Sequence, residues 1–159
     1  MKLTIVLQIL FLACQVQAQS YKKIHRQAIV ADSHNDVLMR SVDLGIVFDK
    51  DLTGNTHSDL ARWKKGGLDV QIFSVFCEGN QQNPYAYANR AMDSLDAVAK
   101  RNPDKIVEVK NYDELIKVVK QHKIAAMFGV EGGHMIENDL NKLEALFNRG
   151  TRYLTLTHN

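Results

Sequence analysis

Cysteine is almost absent: the 159 residues hold two, Cys14 and Cys77. Cys14 falls in an N-terminal targeting segment, so Cys77 stands alone and a disulfide framework within this stretch is excluded. Charge bias is missing as well. The net charge is +2, with Lys and Arg scattered and no basic block or aromatic-interleaved patch, so nucleic acid is not an expected partner. No apolar run reaches the roughly 20 residues that a membrane-spanning helix needs. Gly129-Val130-Glu131-Gly132-Gly133 lacks the Lys–Ser/Thr pair of a phosphate loop and the glycine spacing of a dinucleotide fold. No Ser or Cys sits on a nucleophile elbow. Sequence repeats, low-complexity tracts and interdomain linkers are also missing. What remains has the composition of one ordinary globular domain.

The first residues read as an address rather than as fold. Lys2 supplies a positive start, Leu3 to Ala13 an apolar core, and Val16-Gln17-Ala18 a small-residue cleavage site. This predicts a signal peptide over 1–18 and a mature start at Gln19. Leu12-Ala13-Cys14 offers an alternative lipoprotein-type site, and membrane attachment is expected only if Cys14 is lipidated. Both routes export the protein, to a periplasmic or secreted location.

Beyond Gln27 the chain alternates strands and helices. Strands are predicted over Ala28–Ser33, Leu68–Cys77, Lys123–Val130 and Arg152–Thr157. Helices are predicted over Thr56–Lys65, with Thr56 or Ser58 as N-cap, and over Asn83–Lys100, Asn111–Gln121 and Asn138–Asn148. Asn35 to Asn55 reads as a long loop. Alternation of this kind predicts an α/β fold with a parallel sheet. Four strand units are half of an eight-stranded (β/α) barrel, which typically needs about 250 residues. The chain is therefore expected to be the N-terminal half of a TIM-like barrel, with 19–159 an incomplete barrel domain.

Three polar clusters close apolar strands. Asp32-Ser33-His34-Asn35-Asp36 follows the first strand, Glu131-Gly132-Gly133-His134 the third, and His158-Asn159 the fourth. Strand ends of this kind are where a parallel barrel builds its site. On extended backbone His34 and Asp36 point to one side and offer an imidazole nitrogen and a carboxylate oxygen, both good zinc ligands. A loop histidine next to a helix-capping Asp36 is the plainer alternative. Glu131 directly follows a buried run, where a lone carboxylate is costly, so it is either paired at the rim or bound to metal. With two oxygens it could bridge two ions about 3.5–4 Å apart. His134 is read as a supporting or structural residue. His158 could be a ligand, a general acid–base group or an oxyanion stabiliser. His25, His57 and His122 read as surface residues, and Arg152 as packing at the barrel's bottom. Cys77 is either an inert thiol at a strand end or the partner of a cysteine beyond Asn159.

Asp32-Ser33-His34-Asn35-Asp36, Gln71-Ile72-Phe73-Ser74-Val75-Phe76, Gly129-Val130-Glu131-Gly132-Gly133-His134 and Arg152-Tyr153-Leu154-Thr155-Leu156-Thr157-His158-Asn159 together resemble the membrane (renal-type) dipeptidase family of zinc hydrolases. The resemblance implies a (β/α)8 barrel that hydrolyses dipeptides with a hydroxide shared by two zinc ions. It assigns His34 and Asp36 to the first zinc, Glu131 to both zincs and to catalysis, and His158 to substrate binding and catalysis. The family's histidine ligands for the second zinc lie beyond residue 159, as do its substrate-binding Arg and a late-strand Asp that handles the proton. The resemblance therefore implies dipeptide substrates and two zincs for a complete protein, often a homodimer, and an inactive fragment by itself. Two alternatives stand beside it: a truncated product with at most a partial metal or ligand site, and another binuclear barrel amidohydrolase.

Overall fold

A computed structural model describes residues 21–157. The signal segment, Cys14 and His158 lie outside the described residues. The described chain falls into two units, one up to Val30 and one from Ala31 onward. In the first, residues 21–27 are helical. No described helix is long and apolar enough to cross a membrane.

The second unit is an α/β structure. In chain order it comprises β1 (Ala31–Asn35), α1 (Val37–Leu44), α2 (Leu60–Gly66), β2 (Val70–Val75), α3 (Pro84–Arg101), β3 (Ile106–Glu108), α4 (Tyr112–Lys120), β4 (Ile124–Glu131), a 3-10 turn (Gly133–Ile136), α5 (Leu140–Arg149) and β5 (Thr151–Thr155). All the strand pairs are parallel. β1 pairs with β2 and β2 with β4. On its other edge β4 meets β3 along Ile124–Ala126 and β5 along Phe128–Glu131. The strands foreseen from sequence are thus neighbours in chain order, as on one side of a parallel barrel, and the α/β expectation holds.

Strand alternation divides the apolar residues between two faces. Phe73 and Val75 of β2 pair in register with Phe128 and Val130 of β4 and pack with Leu38, Trp63, Met92 and Leu95 from α1, α2 and α3. Phe48, Trp63 and Phe73 form a ring triangle with centroids 5.6 to 5.8 Å apart. Burying one such side chain contributes about 1.5–3 kcal/mol. On the opposite face Val70 and Ala125 pack with Val109 and with Val118 of α4.

Several local expectations need correction. Val37–Leu44, read as loop, is a helix whose Val37 and Leu38 are buried, and Gly45 in the left-handed region stops it. β3 was not foreseen. The cap of α2 is Asp59 rather than Thr56 or Ser58; its carboxylate accepts from the Arg62 amide and pairs with the Arg62 side chain at 2.8 Å. Burial alone would raise the Asp59 pKa, but the bonds from Arg62 and Leu52 outweigh it and hold the group below its usual range. Asn111 caps α4, its side-chain oxygen accepting from the Glu114 amide. On α5, Leu146 is buried, whereas Leu140 and Phe147 are exposed.

A candidate metal centre at the strand ends

β1 breaks register with β2 between Asp32 and Asn35. The irregular stretch turns the His34 side chain onto the sheet face that carries Glu131. A buried amide fixes this turn. Gln71, 0% exposed, donates to the Asp32 carbonyl at 3.2 Å, and its own carbonyl accepts from the Asn35 amide at 3.3 Å. Asn35 in turn accepts from the Val37 amide at 3.1 Å and so starts α1. Asp36 occupies the N-cap position of that helix but makes no side-chain cap bond. The plainer sequence reading of Asp36 as a cap therefore does not hold; its carboxylate faces His34 instead.

His34 stands between two carboxylates. Its Nε2 lies 3.1 Å from Asp36 Oδ1 and its Nδ1 lies 3.0 Å from Glu131 Oε1. The side chains of His34 and Asp36 are half exposed, at 49% and 51%, while that of Glu131 is 9% exposed. A neutral imidazole has one N–H, so one of its two edges would set a lone pair against a carboxylate. A second proton or a metal cation removes that conflict. The separations, 3.0 and 3.1 Å, are hydrogen-bond distances, and an imidazole nitrogen with a carboxylate oxygen is also a zinc donor pair. The donor chemistry therefore fits zinc pair by pair. The three side chains do not converge on one point, because the ring stands between the carboxylates. Among the described residues no group of three His, Cys, Asp or Glu side chains is arranged to hold an ion alone.

The turn after Glu131 is strapped from two sides. The Gly132 amide donates to Thr155, with Oγ1 at 2.9 Å and the carbonyl at 3.2 Å, and the Gly133 amide donates to the Leu156 carbonyl at 3.0 Å. Both amides are thereby used and neither is offered to an oxyanion. The Nε2 of His134 donates to the Cys77 carbonyl at 2.9 Å, tying the ends of β4 and β2 together. Cys77 is buried with its Sγ 3.2 Å from Met135 Sδ. Burial pushes its thiol up to about 11, which fits the inert reading. A cavity of about 280 Å³ opens beside this turn, lined by Phe76, Glu78, Gly132, Gly133, His134 and Leu156. A larger one, about 320 Å³, lies between the end of α1 and α3 and has none of the strand-end carboxylates in its lining.

His25, His57 and His122 are exposed, as expected. Arg152 bonds the Lys110 and Phe147 carbonyls and covers the Phe147 ring, so it packs rather than entering the site. Sequence reasoning gave no role to Gln71, which lay unremarked inside a quoted motif, or to Asn35.

The sequence pattern of the membrane dipeptidases (peptidase family M19) matches residues 18–159. An uncharacterized dipeptidase of Schizosaccharomyces pombe is 30% identical over 164 residues, covering 91% of this chain and 39% of that protein. This chain therefore spans well under half of that relative. Among solved structures, a probable dipeptidase, PvdM, from Pseudomonas aeruginosa superposes with a TM-score of 0.76 at 17% identity, over 88% of this chain and 37% of that one. A metallo peptidase from Rhodobacter sphaeroides, liganded with a phosphinate mimic of the dipeptide L-Ala-D-Ala, gives 0.69 at 18% identity, over 79% of this chain and 44% of that one. At these identities the superpositions speak for the fold, and the sequence match speaks for descent. With an α/β parallel sheet and acidic and histidine side chains gathered at its strand ends, this chain belongs to the membrane dipeptidase family, peptidase family M19.

Proposed function

We propose that this chain is the N-terminal part of an exported, zinc-dependent dipeptidase whose barrel continues past residue 159. The observation that carries the reading is His34 held between Asp36 and Glu131 at the carboxyl ends of β1 and β4. In this reading His34 and Asp36 ligate the first zinc, Glu131 reaches both, and the second pair of histidines comes from later strands. The N-terminal apolar segment supports export. A homodimer is in keeping with the family resemblance, and membrane attachment depends on lipidation at Cys14.

Bound zinc supplies Lewis-acid polarisation of a carbonyl and a nucleophilic water at neutral pH. The chain's own residues do the rest. Gln71 and Asn35 fix the β1 turn, so His34 and Asp36 keep their orientation without substrate. Glu131 is largely shielded from water and is held against the His34 ring at 3.0 Å, so its carboxylate is fixed in place rather than solvated. The amides of Gly132 and Gly133 are spent on Thr155 and Leu156, and the family resemblance assigns stabilisation of the oxyanion to His158. The cavity next to Gly132 and His134 is open to a substrate side chain.

The test is zinc content and dipeptide hydrolysis for residues 19–159 and for the complete reading frame, prepared side by side. The reading predicts that only the long form holds about two zincs and cleaves dipeptides. Lactone or phosphoester hydrolysis without dipeptide cleavage would favour another binuclear barrel hydrolase. A short form that is folded, metal-loaded and active would show that the site needs nothing beyond residue 159.

A further inference from the structure

We propose that the cavity beside Gly132 and His134 is a specificity pocket for a basic side chain of the substrate, with the Glu78 carboxylate as the partner of its cationic end. This inference rests on the dipeptidase reading above and deepens it by naming a substrate class: dipeptides that carry lysine or arginine.

The cavity adjoins the strand-end site without containing it. It measures about 280 Å³, and its walls come from the residues that follow β2, β4 and β5. Gly132, the residue after Glu131, belongs to the lining, whereas His34, Asp36 and Glu131 do not. A substrate whose peptide bond lies at those side chains therefore has space here for one of its own side chains. Sites that take a whole small molecule run from about 300 to 1,000 Å³, so this one suits a part of a substrate rather than all of it.

The donors of the inner wall are already used. The Gly132 amide donates to Thr155 and the Gly133 amide to the Leu156 carbonyl. His134 donates from Nε2 to the Cys77 carbonyl, so in the neutral ring Nδ1 carries a lone pair and accepts. That edge of the ring fills the space Gly132 leaves free, since a Cβ there would lie 2.4 Å from Nδ1. No lysine or arginine lines the cavity. An anionic side chain would meet no cation there, and a cationic one meets acceptors.

Glu78 is the one carboxylate of the lining. It is exposed, and it makes no side-chain hydrogen bond or ion pair among the described residues. Phe76 and Leu156 add apolar wall, and Leu156 is 83% exposed as it stands. A lysine or arginine matches this arrangement along its length: the methylene stem covers Phe76 and Leu156, and the charged head stays near water at Glu78. Because Glu78 is solvated, the pair discriminates modestly, by about 3- to 5-fold, and salt weakens it.

The experiment compares kcat/KM of the complete protein on matched dipeptides, Lys-Ala against norleucine-Ala and Ala-Lys against Ala-norleucine. Norleucine keeps the stem and removes the ammonium. The lysine member of one pair is expected to be favoured about 3- to 5-fold at low ionic strength, and the pair that shows it identifies which residue of the dipeptide enters the cavity. Glu78→Gln is expected to remove the preference and Glu78→Lys to invert it; the ratio within a pair cancels any general loss of activity. No preference on either pair in the wild-type protein overturns the inference and leaves the dipeptidase reading intact. So does a lysine preference that survives Glu78→Gln. A wild-type protein that cleaves no dipeptide overturns both.

Discussion

Replacing Glu131 by Gln is expected to abolish dipeptide hydrolysis by the complete protein and to release at least one zinc. The substitution keeps shape and removes charge. In the fold Glu131 ends β4 inside the sheet, its Oε1 3.0 Å from His34 Nδ1. A glutamine there still reaches His34, so the turn and the strand persist, but the two zincs proposed for this site would lose their shared anionic ligand. A loss of at least about 10³-fold in kcat/KM corresponds to about 4 kcal/mol of transition-state stabilisation. Steady-state kinetics and elemental analysis on the same sample separate the two effects. Full activity with two bound zincs would refute the bridging role.

Gly132→Ala should be the most damaging change that leaves every candidate ligand in place. Gly132 has φ +92° and ψ 128°, a conformation closed to alanine without strain. A Cβ would also lie 2.4 Å from Cε1 and Nδ1 of His134, whose ring is held by the bond to the Cys77 carbonyl. Backbone strain of this kind costs about 1–3 kcal/mol, and displacing the imidazole breaks the tie between β4 and β2. The expected total is about 2–4 kcal/mol in chemical denaturation. Gly79→Ala is the control: nothing lies within 4 Å of its Cβ position, and a change within about 0.5 kcal/mol is expected. Equal stability of the two variants would mean that the Gly132 turn is not under the constraint described.

What could be read along the chain was whatever ends an apolar run. His34, Asp36 and Glu131 announce themselves because each is a polar group placed where a buried strand stops. β2 and β4 were legible for the same reason, and Asn111 because a side chain that caps is a local feature. β3 was not, since three residues, Ile106–Glu108, carry too little alternation to register. The helix Val37–Leu44 was hidden among Asp and Gly, although Gly45 just after it was an available stop signal. Gln71 escaped for a different reason. Its role depends on which residues stand beside it on the neighbouring strand. Nothing in the local sequence around Gly129 says that its missing Cβ makes room for the Tyr153 ring, 24 residues later.

The most direct test is a zinc-edge anomalous map from crystals of the complete protein grown with zinc. The account predicts a peak about 2.0–2.2 Å from a ring nitrogen of His34 and from carboxylate oxygens of Asp36 and Glu131, with a second peak reached by Glu131 and by histidines beyond residue 159. Peaks that avoid His34, Asp36 and Glu131, or a dipeptide-cleaving protein with no zinc at these strand ends, would contradict it.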